Sequence, residues 1–410
     1  MFSPIVCTSK PSPGRPDPGT TPPNGTGHDG GCGGGSGGGN GGGNGGGADG
    51  QGAPGARGGD GSDEHAGAAM TGTTPTTTTA GRTGPAVSRL SLIRWSDLSL
   101  VPVVLVLMLI GFVVSPVFLT ADNLIGVVQQ SSELSLLVLG QALVLICGRM
   151  DLSLESTIGI APVLAMWLVL PAEGGRFAGL DALPPWSAIP VCLLAGAAIG
   201  AVNGFLMLKL HVNGFIATLG MLTMLRGLHV GITEGKSITD VPESFRHLGK
   251  TDWFGAPAAV WICLALFTAG GLFLAYHRHG RALYAIGGNP EAARAAGIRT
   301  DRIVWAVLVA AGVLAAFAGI LYTGHYGSVA ATQGNGWIFQ VFAAAVIGGI
   351  SLKGGRGTLF GALTGVLTLQ LVVNVMTLGG VPALWNQFLN GAIIIVALVI
   401  SRYASGERQD

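Results

Sequence analysis

Few side chains in this sequence stand where chemistry could be done. The nearest approach to a phosphate-binding loop is GITEGKS at residues 231–237, which is one residue short between its glycines and lacks a strand–loop–helix setting. The stretch GGISLKGGRGT at 348–358 has glycines and a lysine but no Gly-Lys-Ser/Thr ending. The eight histidines form no HExxH-like pair, and no Ser/His/Asp or Cys/His set has a local signature. Cys7, Cys32, Cys147, Cys192 and Cys263 show neither metal-ligand nor disulfide spacing, and the last three fall in apolar runs where a buried thiol is expected. The chain therefore reads as no enzyme, with no cofactor, metal or nucleotide site of its own.

What remains are polar groups set into apolar runs. Gln129, Glu133 and Gln141 recur at i, i+4 and i+12, on one helical face. An ionisable group within a membrane span is a functional candidate by default, so this stripe is a candidate lining for a solute path. The plainer alternative leaves Glu133 near the end of its run, against water or a neighbour. Asn203 and Asn374 are similarly polar within apolar helices, where asparagine more often joins helices than touches substrate. Neutral amides would suit an uncharged, hydroxyl-rich solute, because they donate and accept without a counter-ion.

A different kind of site lies at IGGNPEAARAAGIRTDR, residues 286–302, between two long apolar runs. Asn289 suits an N-cap, Pro290 the first helical position, and Glu291 the positive end of the helix dipole. Ala292, Ala293 and Arg294 continue the helix, and Gly297 is a natural stop. The result is a surface helix of about two turns, too short to hold itself together in water. Something else must hold it.

The elements that position these groups are set by composition. Of 410 residues, 49% are hydrophobic and 10% charged, against roughly 25% charged in soluble domains, and the net charge of +1 gives no reason to expect nucleic acid. Up to about residue 88 the chain is rich in Gly, Pro, Thr and Ser, with tracts such as GGGSGGGNGGGNGGG. Such a segment cannot bury enough apolar surface to offset its ordering entropy, so residues 1–88 are expected to be a disordered tail. It lacks the apolar core of a signal peptide, and Met70 offers an alternative start that would remove most of it.

Apolar runs of spanning length follow near 98–119, 123–146, 152–170, 187–208, 213–232, 256–277, 303–323, 338–352, 356–378 and 385–402. The expectation is an all-α polytopic membrane protein with about ten transmembrane helices over residues 89–410, since backbone groups in lipid must be satisfied within each span. Arg89, Arg94, Arg149, Lys209, Arg278, Arg281, Arg294, Arg299, Arg302, Lys353, Arg356, Arg402 and Arg408 fall at one set of ends. Arg176, Lys236, Arg246 and Lys250 fall at the other, with Arg226 near it. By the positive-inside rule the first set, both termini and the 289–297 helix are cytoplasmic.

Gly196, Gly200 and Gly204 repeat every four residues, as do Gly361 and Gly365, which lets helix backbones approach closely. There is also an internal echo. CGRMDL (147–152) and IGGISL (347–352) match at Gly148/Gly348 and Leu152/Leu352. Repeated halves are common in transport proteins, whose substrate path lies at the repeat interface.

Three blocks carry a family resemblance. GAAIGAVNGFLMLKLHVNGFIATLGMLTMLRGL (196–228), GRALYAIGGNPEAARAAGIRTDRI (280–303) and AAAVIGGISLKGGRGTLFGALTGVL (343–367) resemble the ribose-type permeases, the membrane subunits of ATP-binding-cassette sugar importers. The resemblance runs from about residue 97 to 402. It implies a bacterial cell-membrane importer subunit that translocates a monosaccharide, pairs with a second permease copy, and binds cytoplasmic ABC ATPase subunits. It also implies an extracytoplasmic sugar-binding protein as partner, for which the connection at 233–255 is the candidate contact. By the same resemblance, residues 289–297 form the coupling helix that docks on the ATPase. A nucleoside or branched-chain amino acid permease of the same superfamily, or a self-sufficient secondary transporter, are the alternatives.

The sequence departs from that family at two places. GRMDLSLES (148–156) has Arg149 and Glu155 where the family pattern has glycines, with Asp151 and Ser153 left as candidate caps of the third span. Arg149 and Glu155 are expected either to pair at the interface or to leave Arg149 reaching for the boundary. Relatives often carry acidic residues near the positions of Ile338 and Gln340, and both are absent here.

Overall fold

In the computed structural model, residues 100–170 and 183–382 are described, with residues 385, 388, 391, 392 and 395 beyond them. The predicted tail 1–88, Arg89, Arg94, Arg176, most of the run 385–402, Arg402 and Arg408 lie outside the described residues. The rest is helical apart from short turns and one small hairpin. The helices are α1 Val101–Val114, α2 Ala121–Ile146, α3 Leu154–Val169, α4 Ala188–Leu208, α5 Gly214–Thr233 and α6 Glu243–Lys250. They continue with α7 Ala258–Tyr276, α8 Arg278–Gly288, α9 Pro290–Ala295, α10 Thr300–Tyr326, α11 Trp337–Ile347 and α12 Leu359–Leu378.

Among the described residues, 185–208, α5, α7, α10 and α12 are long and apolar enough to cross a bilayer, while α1, α3 and α11 are shorter apolar helices. α1 falls short of its predicted run because Pro116 pushes Ser115 into an extended conformation, φ −151° and ψ 131°, which ends the helix. α2 is 26 residues, about 39 Å at 1.5 Å per residue, and its second half is buried on every side. α10 is the other central element. It packs on α2, α3, α4 and α6.

The glycine repeats act where two helices cross. A Cβ on Gly196 would stand 2.3 Å from the carbonyl oxygen of Gly312, and one on Gly200 2.3 Å from that of Leu308, so α4 and α10 touch backbone to backbone. Gly361 and Gly365 do the same for α12 against α11, with a Cβ on Gly365 meeting the Ala344 carbonyl oxygen at 2.2 Å.

The echoed segments are both helix ends. α2 closes with Gly148 at φ +71°, where Gly148 N donates to Leu145 O and Arg149 N to Val144 O at 2.8 and 3.1 Å. α11 closes with Gly349 at φ +80°, where Gly349 N donates to Val346 O and Ile350 N to Ala345 O, both at 2.9 Å. Each is a left-handed cap satisfying the last carbonyls. The structural equivalence pairs Gly148 with Gly349, one position out of register with the sequence match at Gly348. The reason is that only the residue at positive φ occupies the cap position.

The connection after α5 is more than a solvated loop. Asp252–Trp253 and Ala256–Pro257 form an antiparallel hairpin, and Ile238 bridges Val329. α6 lies on the end of α10, with Phe245 fully buried and a Cβ on Gly249 only 2.2 Å from His325 N.

Candidate functional site

The helix predicted at 289–297 is present as α9, six residues long. Asn289 Oδ1 accepts from Glu291 N and Ala292 N, both at 3.0 Å, and Gly297 takes φ +79° at the stop. Pro290, Glu291, Ala292, Arg294 and Gly297 are exposed, whereas Ala293 is buried and belongs to the main apolar core. That inward alanine, together with packing on α8 and α10, is what holds so short a helix. Arg294 turns to its own chain: Nε donates to Thr300 Oγ1 at 3.0 Å, and Nη2 stands 3.4 Å from Asp301 Oδ1.

α8 connects α9 to the membrane helices. Ala282, Leu283 and Ile286 are buried along one face. At its end, a Cβ on Gly287 would lie 1.9 Å from Ile146 O and 2.4 Å from Gly355 N. Gly355 N itself donates to Ile146 O at 2.9 Å, and a Cβ on Gly354 would come within 2.6 Å of the Gly148 Cα. The α2 cap, the loop glycines 354 and 355 and the residues leading into α9 therefore meet through backbone alone. No side chain cushions this junction.

The polar residues predicted for the solute path do not converge. Gln129 and Glu133 sit together near the α6 end: Gln129 Nε2 donates to Gly249 O at 3.2 Å, and Glu133 Oε1 is 2.7 Å from His325 Nδ1. Tyr326 and Tyr322 stack beside that pair, and Trp337 meets Tyr322 edge-on with centroids 5.2 Å apart. Gln141 lies deep in the bundle, wholly buried, with neither amide atom partnered. Asn203 Nδ2 donates to Asp151 and Ser153 at 2.7–3.3 Å, tying α4 to the segment before α3. Asp151 Oδ1 also accepts from Ser153 N at 2.9 Å, so the aspartate organises the turn, while Ser153 makes no side-chain cap bond. Asn374 and Asn123 exchange hydrogen bonds of 2.9 and 3.1 Å between α12 and α2.

Glu155 departs from the expected pairing with Arg149. Its carboxylate binds the Arg226 guanidinium instead, and accepts from Gly336 N at 3.2 Å and Ile338 N at 3.0 Å. Glu155 lies in the first turn of α3, which packs on α5 and the start of α11, and these supply its partners in place of Arg149. Arg226 Nη1 donates to Asn335 Oδ1 at 2.6 Å. A carboxylate thus reaches the backbone of Ile338, although residues 338 and 340 carry none. Sequence reading passed over the trio Glu155, Arg226 and Asn335. Its only signal was two opposite charges placed inside apolar runs.

Residues 123–398 match the family described as branched-chain amino acid transport system / permease component. The ribose import permease protein RbsC of Escherichia coli K12 is 34% identical over 300 residues, 72% of this chain and 90% of that protein. The autoinducer 2 import system permease protein LsrC of Klebsiella pneumoniae is 34% identical over 310 residues, 76% of this chain and 87% of that one. The L-arabinose transport system permease protein AraH of Escherichia coli K12 is 32% identical over 309 residues, 75% and 91% respectively. No solved structure matches the chain significantly. With apolar helices packed through glycine crossings, a buried polar interior and this breadth of similarity, the chain is a multi-pass membrane protein that belongs to the permease components of this transport family.

Proposed function

We propose that this chain is the membrane-spanning permease subunit of an ATP-binding-cassette importer, translocating a monosaccharide or closely sugar-like solute across a bacterial cytoplasmic membrane. Relatives named for ribose import, autoinducer 2 import and L-arabinose transport support that class of solute. Residues 89–410 are the permease domain, preceded by the Gly-, Pro- and Thr-rich segment 1–88. The α9 end, rich in Arg and Lys, faces the cytoplasm, as do both termini. The partners are cytoplasmic ATPase subunits, a second permease copy and an extracytoplasmic sugar-binding protein that meets the face formed by α6 and the hairpin.

The observation that carries the reading is α9 itself. It is exposed on all sides but one, anchored by Ala293, and continuous with the glycine junction that touches the end of α2 and the 353–355 stretch between α11 and α12. A push on α9 is delivered through Gly287 to the α2 end and to the α11–α12 connection at once, because a backbone-to-backbone contact has no flexible side chain to absorb displacement. ATP hydrolysis belongs to the partner.

The test is uptake of D-ribose and L-arabinose by the full chain assembled with its cassette ATPase. Replacing residues 290–294 with a Gly/Ser linker should abolish ATP-driven uptake while membrane insertion stays normal. Undiminished uptake by that variant refutes the coupling role, and uphill transport by the purified chain alone refutes the whole reading.

A further inference from the structure

We propose that Arg226 and Asn335 form a recognition site for an uncharged, polyhydroxylated solute on the open face of α5; this rests on the importer reading above and extends it. Along it Gly220, Thr223, Gly227 and Gly231 are exposed between the exposed side chains of Ile216, Leu219, Met224, Leu228 and Val230, and a Cβ on any of the three glycines would meet nothing within 4 Å. Arg226 lies on the flank of that arc, inside a helix of spanning length, with its side chain 34% exposed while that of Glu155 is 3% exposed. A guanidinium left partly open within a spanning helix is not stable against hydrocarbon. Water reaches this face, and so can a solute.

The chemistry follows from which groups are already occupied. The Glu155 carboxylate is filled by Arg226, Gly336 N and Ile338 N, so it acts as a buried support and cancels the arginine charge. Asn335 Oδ1 is taken by Arg226, which leaves the Asn335 amide N–H groups and the remaining guanidinium N–H groups as donors. A net-neutral set of fixed donors suits hydroxyl and ring oxygens and gives an anion no uncompensated charge to bind. Behind that flank, where His229 and Gln333 pack around Gly159 of α3, His229 Nε2 and Gln333 Oε1 are also without partners, on residues only 3% and 6% exposed. Buried polar atoms are seldom left so, and water or a solute hydroxyl is the partner they lack.

The experiment uses the full-length chain in membrane vesicles, with Cys7 and Cys32 replaced by serine; Cys147, Cys192 and Cys263 are already buried. A charged, water-soluble methanethiosulfonate is applied to Thr223→Cys and to Leu105→Cys, whose native leucine is 61% exposed on apolar α1. The T223C thiol should react on the order of tenfold faster or more, equivalent to about 1.4 kcal/mol in barrier, and D-ribose or L-arabinose should slow it. Adding Asn335→Ala, or Arg226→Lys, which keeps the charge but not the planar fork, should remove that protection without slowing the reaction. Equal rates at the two positions overturn the proposal, as does a disulfide joining two T223C chains without modification. So does absent sugar protection, or protection that survives both variants. No ATPase is needed here, so this result and that of the α9 variant fail independently.

Discussion

The glycine junction makes a sharp prediction because α8 ends in two glycines with opposite surroundings. Gly287→Ala would put a Cβ 1.9 Å from Ile146 O, where ordinary contact begins at 3.4 Å, so the backbones must part by about 1.5 Å. Overpacking of this kind costs about 1–3 kcal/mol. Separating Ile146 O from Gly355 N forfeits a hydrogen bond of 2.9 Å, roughly another 1 kcal/mol. Against this, alanine gains up to about 1 kcal/mol over glycine in a helix. The balance is a loss of about 2 kcal/mol. Gly288→Ala keeps the helix gain and meets nothing within 4 Å, so it should be neutral or slightly stabilising. Thermal unfolding of the detergent-solubilised full chain, followed by loss of monodisperse elution, should place G287A several degrees below wild type and G288A at or above it. A G287A variant as stable as G288A would refute the claim that these segments meet through backbone alone.

Other substitutions test the buried polar groups by the same thermal assay. Asn374→Leu leaves Asn123 Oδ1 without its donor, though Asn123 Nδ2 keeps Phe118 O, and should cost about 1 kcal/mol, whereas adding Asn123→Leu should cost less than the sum; additive losses would deny the pair. Gln141→Leu should raise the unfolding midpoint, since both amide atoms are buried without partners; a drop would mean that they are satisfied in solution. Asn203→Asp should destabilise far more than Asn203→Ala, because it sets a second carboxylate against fully buried Asp151. Equal losses would show that Asn203 acts only by filling space.

The spanning runs were legible because a bilayer demands length and apolarity, and both are properties of a local stretch of chain. α3, α4, α5, α7 and α12 begin and end within a few residues of their predicted bounds. α9 was readable for the same reason: an Asn-Pro start and a glycine stop act over a single turn. The solute-path stripe was harder. Gln129, Glu133 and Gln141 do share a helix, but one helix face says nothing about what stands opposite, and each meets a different neighbour.

Local pattern alone was enough to establish a helical membrane protein with a capped surface helix between its spans, because hydropathy, caps and breakers act on neighbours in sequence. The fold alone decided that Glu155 joins Arg226 rather than Arg149, that Asn203 holds Asp151, and that Gly287 touches Ile146 and Gly355. Those partners are separated by dozens to hundreds of residues. Charge and amide groups bind whatever the packed helices bring within about 3 Å, and that proximity is a property of the bundle.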